Sequence, residues 1–388
     1  MAWSRLNFIK SSWAKEVLHL ARLFLFFRGL LFAFALFATS ATKERHPVPE
    51  KLWEAFSASH YFLDGFFHWD AAWYRLIAER GYFVTLGLPQ QNVAFFPLFP
   101  YLSRWLGLAL GSHLLAGVLL SHVAFFVGLF FLARIARMYL DEDGAERTVL
   151  LVLLFPSSWF FSAYYTEGLF LGVTTASFYY FLRGKYLPCA LFGALACATR
   201  STGIALLPAF VLGLGWETYK KRVPFRWASL SLFLIPVGLL AFMWLLQSQV
   251  GDPLAFAKVQ TGWGRQTAFP LVTLYREFSR VHFSFPRNEI NTDLFLSGLT
   301  AVAFLILPLF LIRRVHLSLV VYAELSLLIP LSTNRVMSIN RYAAVVFPTF
   351  LALSSLAHTR PRERVLFFGM TLFLGFYTLQ FFNWHWAG

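Results

Sequence analysis

Long apolar runs separated by short polar connections make up most of the chain. A helix needs about 20 mostly apolar residues to cross the hydrocarbon core of a bilayer. On that criterion the pattern predicts eleven membrane-spanning segments, several of them short: 17–39, 114–133, 148–164, 167–182, 186–199, 203–216, 228–247, 292–312, 315–331, 342–357 and 365–382. The two segments on either side of Arg200, 186–199 and 203–216, form either two spans or one broken or re-entrant hairpin. We therefore expect an all-α polytopic membrane protein, with a single integral membrane domain over 1–388.

Two longer polar stretches, 40–113 and 248–291, interrupt this pattern. In the first, large apolar residues recur at helical spacing, which predicts a short amphipathic helix at the membrane interface. These residues are Trp69, Trp73, Leu76 and Ile77. Gly81 stands where it can end that helix. Residues 94–110 are apolar but contain Pro97 and Pro100, which predicts a second interfacial or re-entrant piece.

Composition and charge support the membrane assignment. Of the 388 residues, 58% are apolar and 13% are charged, whereas soluble domains have about 45–50% apolar and about 25% charged residues. The net charge of +14 would suggest nucleic acid in a soluble protein, but in a membrane protein excess Lys and Arg first indicates topology. A cytoplasmic N-terminus puts Lys or Arg in every short inner connection and both long loops outside. Cys189 and Cys197 are expected to pack as small core residues.

Acidic residues of the first long loop are candidates for chemistry. Asp70 stands just before the predicted helix, so its carboxylate can cap the helix, act as a general base toward a sugar hydroxyl, or do both. Asp64 precedes it in the same loop and can bind a cation or an acceptor hydroxyl. Together with His60 and His68 these carboxylates have no established metal-ligand spacing. We therefore expect no cofactor, with a divalent metal ion as the less favoured alternative.

Charged residues at or inside apolar segments need a partner or a function. Glu167 follows Tyr165-Thr166 and either begins a helix or serves the chemistry. Arg200 interrupts a long apolar stretch and requires an anion, either Glu167 or a phosphate. Arg22 and Arg28 in the first span are expected to snorkel or to pair within the bundle.

The second long loop and a late span add two more guanidinium groups. Arg265 beside Trp263 can contact a phosphate or a sugar ring. Asp252, in Gly-Asp-Pro, is expected to be an ordinary turn residue. Arg341-Tyr342 stands at the outer start of a span, where the guanidinium either binds a phosphate or is simple flanking charge.

Several short motifs follow one another along most of the chain. They are His68-Trp69-Asp70 running on to Tyr74, Ala78 and Gly81-Tyr82; Phe96-Pro97-Leu98; Phe155-Pro156-Ser157-Ser158; Tyr165-Thr166-Glu167; Arg200-Ser201-Thr202-Gly203; and Arg341-Tyr342 with Phe347-Pro348. In this order they resemble the PIG-V type of mannosyltransferase, which adds the second mannose of GPI anchors, and its bacterial relatives. These enzymes belong to the GT-C superfamily of polytopic glycosyltransferases.

The resemblance implies a GT-C-like bundle and an enzyme that uses a polyprenyl-phosphate sugar, with mannose as the expected sugar. The sugar would move to an acceptor hydroxyl with inversion at the extracytoplasmic face. Asp70 would be the catalytic base, and Arg200 and Arg341 would stabilise the leaving phosphate. The candidate substrate-binding residues are Asp64, His68, Trp69, Tyr74, Tyr165, Glu167, Arg200, Arg265, Arg341 and Tyr342. The expected partners are the donor lipid, a glycan or glycolipid acceptor and membrane lipids, but not nucleic acid.

Two features favour a bacterial member of the family, in the inner membrane with its site facing outside. Ser201-Thr202 stands where the GPI enzymes are expected to have an Asn next to the glycine, and the chain has no Asn-x-Ser/Thr sequon. Two other functions stay open at this point. One is a lipid-linked-sugar flippase or transporter, which would need charged residues converging at the bilayer midplane. The other is a non-catalytic envelope-assembly subunit, in which Asp70 would only cap a helix.

Overall fold

The described part of the chain is mostly helical. The computed structural model describes residues 2–41, 65–85, 87–224, 226–280, 283–284, 289–290, 292–383 and 385. Within these ranges the helices are α1 (Ala2–Ala41), α2 (Ala71–Arg80), α3 (Leu98–Leu110), α4 (His113–Ala136), α5 (Glu142–Leu154), α6 (Glu167–Leu182), α7 (Tyr186–Thr199), α8 (Leu206–Tyr219), α9 (Val237–Val250), α10 (Ala255–Lys258), α11 (Pro270–Ser279), α12 (Thr292–Ile306), α13 (Leu317–Leu331), α14 (Ile339–Ala344), α15 (Phe347–Leu356) and α16 (Arg360–Phe382). A two-stranded antiparallel ribbon lies in the second long loop, with β1 (Phe283–Ser284) paired to β2 (Glu289–Ile290).

The chain is an integral membrane protein, as its helices indicate. Four stretches of the described chain are long and apolar enough to cross a bilayer: Ala14–Ala38, His113–Ala136, Trp227–Val250 and Arg360–Phe382. Shorter apolar helices accompany them, among them α7, α13 and α15. The count of eleven spans stays a prediction, because several of the predicted segments are not single helices.

Two predicted spans break at buried turns. The segment 148–164 is not one helix: α5 ends at Leu154 and a 3-10 turn follows at Ser158–Phe161. The segment 342–357 divides into α14 and α15, which begins beside Pro348. A proline lacks the N–H that continues a helix and disfavours helical geometry in the residue before it. These two breaks carry the motifs that precede and surround the site described below.

The break predicted around Arg200 is present. α7 ends at Thr199, Arg200 is extended, and a 3-10 turn at Ser201–Ala205 leads into α8. The turn packs directly on α7, because a Cβ at Gly203 would lie 2.6 Å from the carbonyl oxygen of Ala196. Only glycine fits such a close approach of two backbones, which gives this motif residue a structural reason.

The core behind the site depends on an equally close contact between α4 and α6. A Cβ at Gly168 would overlap the backbone oxygen of Ser121, and one at Gly172 would lie 2.7 Å from that of Ala124. Small residues let transmembrane helices approach to backbone contact. The first turn of α6 is therefore held firmly against α4.

The helix predicted after Asp70 is α2, and Gly81 ends it with a positive φ of 76°. Its buried face agrees only in part with the predicted one: Ile77 is buried together with Tyr74 and Ala78, whereas Trp73 and Leu76 are only partly covered. The reason is that α3 and Phe95 pack on α2 on the side of Tyr74, so protein covers a face that the sequence pattern did not mark as apolar. The second predicted piece, 94–110, is a 3-10 turn at Asn92–Ala94 followed by α3.

Candidate active site

Asp70 lies at the start of α2, and its carboxylate does not cap that helix. The capping interpretation is therefore wrong for this side chain, since no cap hydrogen bond forms. Instead Oδ2 accepts a hydrogen bond of 2.6 Å from Nη1 of Arg341, which lies in α14. The bond joins residues 271 positions apart in the sequence. The first long loop and the late span thus meet at this ion pair.

Arg341 also binds Glu167 and so connects two carboxylates. Its Nε donates to Oε1 of Glu167 at 2.8 Å, and Nη1 of Arg200 donates to the same oxygen at 2.9 Å. Carboxylates and guanidinium groups therefore alternate along one array, from Asp70 through Arg341 and Glu167 to Arg200. We call this set the charge array. Glu167 thus provides the anionic partner that Arg200 was predicted to need.

One end of the charge array is much more exposed than the rest. The side chain of Asp70 is 23% exposed, whereas those of Arg341, Glu167 and Arg200 are 6%, 0% and 8% exposed. A buried charge is tolerated only when it is paired and hydrogen bonded. Oε1 of Glu167 meets this condition through both guanidinium groups, whereas its Oε2 has no hydrogen-bond partner among the described residues. Asp70 is consequently the end at which a molecule from outside can meet the array.

Aromatic rings cover both guanidinium groups. Arg341 lies 5.1 Å from the ring centroid of Phe160 and 4.9 Å from that of Tyr165. Arg200 lies 4.7 Å from the ring centroid of Tyr342. Cation–π contacts of this length favour the charged form and hold the planar group in one orientation.

The second long loop reaches the same place. Arg265 donates to Oε1 of Gln260 at 3.2 Å and interacts with the phenol of Tyr342. Trp263 packs edge-on against Trp73 of α2, with ring centroids 6.3 Å apart. The predicted site residues Arg265 and Tyr342 are thus continuous with the charge array through Arg200.

Three further candidates connect α2 and the turn before it to neighbouring segments. Tyr165 donates from its hydroxyl to the backbone oxygen of His68 at 2.8 Å, and Nδ1 of His68 lies 3.1 Å from the backbone oxygen of Phe381 in α16. The Tyr74 hydroxyl lies 3.5 Å from Oγ1 of Thr166. Burial raises the pKa of the Tyr74 phenol, so this hydroxyl stays protonated at neutral pH. His68 is buried, as are Arg341, Glu167 and Arg200, and its role in substrate binding stays a prediction.

Strained backbone flanks both members of the Asp70–Arg341 pair. Trp69, directly before Asp70, has a φ of 56°, and Ser338, the residue before α14, has a φ of 66°. Residues other than glycine rarely adopt a positive φ, and such backbone strain costs about 1–3 kcal/mol per residue. Neither residue would keep this conformation unless the surrounding contacts enforced it.

The remaining candidates lie away from the charge array or outside the described residues. Asp252 accepts from the Leu254 N–H and pairs with Lys258, as expected of a turn residue. Asp64 and His60 lie outside the described residues. Within the described ranges, no three His, Cys, Asp or Glu side chains are grouped to hold a metal ion. Cys189 and Cys197 are buried, as predicted.

Sequence reasoning missed Phe160 and gave no role to Ser157, although both lie in or beside the motif at 155–158. Arg28 was the sequence feature that could have indicated this turn, because an arginine inside an apolar span requires buried hydrogen-bond acceptors. Those acceptors are at this turn: Nη2 of Arg28 donates to Oγ of Ser158 at 2.9 Å. The alternative that Arg28 pairs within the bundle is thus the correct one.

Comparison with known proteins identifies a family that the sequence matches and a solved structure with a similar fold. A family model described as Mannosyltransferase (PIG-V) matches residues 15–248. Human GPI alpha-1,6-mannosyltransferase 2 is 33% identical over 160 residues, which cover 37% of this chain and 30% of the human protein. The rat protein of the same name matches with the same identity and coverage. The matched stretch is therefore a minor part of these relatives.

The crystal structure of ArnT from Cupriavidus metallidurans bound to undecaprenyl phosphate has a similar fold. It superposes with a TM-score of 0.52, covering 90% of this chain and 63% of ArnT, at 14% sequence identity. At that identity the likeness concerns the fold. The predicted GT-C-like helical architecture is thereby confirmed.

Proposed function

The chain belongs to the PIG-V mannosyltransferase family, and from this premise we propose that it transfers mannose from a polyprenyl-phosphate donor to an acceptor hydroxyl. The transfer inverts the anomeric centre and takes place at the extracytoplasmic face. The observation that carries the proposal is the charge array, in which one accessible carboxylate stands at the end of a buried pair of guanidinium groups.

Asp70 is the general base of this reaction. Its carboxylate is the most exposed member of the array, so an acceptor hydroxyl can approach it. Asp70 takes the hydroxyl proton as the oxygen attacks the anomeric carbon and the bond from that carbon to the phosphate oxygen breaks. The electron pair of the broken bond leaves on the lipid phosphate. Attack opposite the leaving group inverts the anomeric centre.

Arg341, Arg200 and Arg265 receive the phosphate. Together with Asp70 and Glu167 these residues carry three positive and two negative charges, so one positive charge is in excess. A sugar–phosphate–lipid diester carries one negative charge, which matches that excess. As the bond breaks, charge grows on the phosphate oxygens, and preorganised guanidinium groups stabilise it more than they stabilise the intact donor.

A lipid donor agrees with the fold. The ArnT structure with a similar fold is bound to undecaprenyl phosphate, which is the kind of product that the proposed reaction releases. The long apolar helices of this chain offer the membrane surface along which such a lipid tail can lie. We place the protein in a bacterial inner membrane, with the loops 40–113 and 248–291 outside.

A donor comparison tests the proposed chemistry. Membranes that contain the protein are expected to transfer radiolabel from polyprenyl-phosphate mannose to endogenous lipids or glycans. With GDP-mannose as the label, transfer should require a separate polyprenyl-phosphate mannose synthase. Direct use of GDP-mannose by the purified protein would contradict the proposal, and so would the absence of transfer from the lipid donor to any membrane fraction.

Thiol labelling tests the orientation. Because both native cysteines are buried, a cysteine at an exposed position reports its own side of the membrane. We expect Arg80→Cys, at the end of α2, to react with a membrane-impermeant maleimide in cells whose inner membrane is intact and accessible. Lys220→Cys, an exposed residue after α8, should react only after permeabilisation, and the opposite pattern would reverse the topology.

A further inference from the structure

Arg28 is a buried arginine in the apolar part of α1 whose hydrogen bonds all reach one turn. Nη1 donates to the backbone oxygen and Nη2 to the hydroxyl of Ser158, at 3.0 Å and 2.9 Å. Nη1 also donates to Oγ of Ser162 at 3.2 Å, and Nη2 to the backbone oxygen of Leu153 at 2.9 Å. None of these acceptors is a carboxylate. Arg28 therefore uses its charge to hold the last turn of α5 and the residues that follow it, where helix carbonyls lack other donors.

The turn that Arg28 binds is also hydrogen bonded to α14. Oγ of Ser157 donates to the backbone oxygen of Asn340 at 2.8 Å, and the Asn340 amide donates to Ser297 at 3.1 Å. α14 has only six residues, and a helix of that length has little stability of its own. It also begins after Ser338, with its strained φ of 66°. The position of α14 therefore depends on these tethers.

Arg341 directly follows Asn340, so the tether acts on the residue that binds both carboxylates. The same turn supplies Phe160, whose ring lies under the Arg341 guanidinium at 5.1 Å. The same turn thus contacts α14 twice, at the backbone of Asn340 and at the guanidinium group of Arg341. Because reacting groups tolerate little misplacement, small shifts of α14 would disturb the bonds from Arg341 to Asp70 and Glu167.

We propose that Arg28 and Ser157 are positioning residues for Arg341. Arg28 fixes the turn 155–162 against α1 and α5, and Ser157 transmits that position to α14. Neither residue touches the reacting atoms. The inference rests on the proposed function, because it assumes that Arg341 stabilises the phosphate of the donor.

A double-mutant cycle tests the action through Arg341. Ser157→Ala is expected to lower kcat/KM for the lipid donor by about 10-fold, because misplaced groups lose rate steeply. In an Arg341→Lys background the same substitution should cost about 2-fold or less, since residues that act as one unit are not additive. Ser248→Ala, an exposed serine in α9, is the control and should leave kcat/KM unchanged. An equal loss in both backgrounds, or no loss in either, would overturn the proposal.

Hydrogen exchange gives a second measurement that needs no turnover. Exchange at residues 339–344 should be faster in Ser157→Ala and in Arg28→Met than in the wild type. It should be unchanged in Arg22→Met, an exposed arginine of the same helix. If the wild type transfers no mannose, the proposed function fails, and exchange alone then decides the positioning claim. Equal protection of α14 in all variants would contradict that claim even if the wild type is active.

Discussion

Asp70→Asn is expected to lower the rate of mannose transfer by about 10³-fold at saturating donor and acceptor, the range that general bases contribute. An amide cannot take the acceptor proton, whereas its oxygen can still accept the hydrogen bond that Arg341 now gives to Oδ2. The fold should persist for the same reason. The loss should therefore fall on kcat, with donor binding retained, and steady-state kinetics of the purified variant measure both.

The second long loop offers a matched control for this substitution. Asp252 also carries a charge-paired carboxylate, with Lys258 at 2.7 Å, but it lies in an ordinary turn. Asp252→Asn should leave the transfer rate within about 2-fold of the wild type, as surface ion pairs contribute little. If Asp70→Asn kept a comparable rate, Asp70 would not be the base.

Arg341→Lys is expected to lower kcat/KM for the lipid donor by about 10²–10³-fold, the usual cost of losing one preorganised group at a developing charge. Lysine keeps the charge but not the planar fork that binds Glu167 through Nε and Asp70 through Nη1. Arg200→Lys should cost less, because Arg200 bonds to Glu167 but not to Asp70. Donor titrations at fixed acceptor concentration measure the two losses.

An exposed arginine provides the comparison. Arg276→Lys, in α11 of the second long loop, preserves the net charge and should leave kcat/KM unchanged. We therefore expect kcat/KM to be highest for Arg276→Lys, lower for Arg200→Lys and lowest for Arg341→Lys. A larger loss for Arg200→Lys than for Arg341→Lys would move the main phosphate contact away from Arg341.

Local sequence predicts those parts of the fold that depend on local chemistry. The break at Arg200 follows from a charge and a glycine inside an apolar stretch, and the end of α2 follows from Gly81. The breaks at 155–157 and 345–346 are harder to foresee, because a proline inside an apolar run is compatible with a kinked span. At the first of these breaks the partners of the turn are tertiary: Arg28 bonds to Ser158, and Asn340 accepts from Ser157.

The candidate site residues could be identified one by one from the sequence, but most of their pairing could not. Glu167 and Arg200 stand at or inside apolar segments and therefore require a partner or a function. Asp70 stands before a predicted helix in the first long loop, and Arg341 stands at the outer start of a span. The sequence offers Glu167 as one partner for Arg200, but nothing in it indicates that Arg341 bonds to Asp70, 271 positions away, or to Glu167. The capping interpretation failed for that reason, since the competing bond from Arg341 to Asp70 is long-range and charge-assisted.

The most direct test combines rate and stereochemistry in one experiment. Purified protein in lipid nanodiscs is given polyprenyl-phosphate mannose and a membrane acceptor fraction, and the labelled product is quantified and its anomeric configuration determined. We expect wild-type protein to form a product with the configuration opposite to that of the donor, and Asp70→Asn to form almost none. A product that retains the donor configuration, or equal product from both proteins, would contradict inverting transfer with Asp70 as the base.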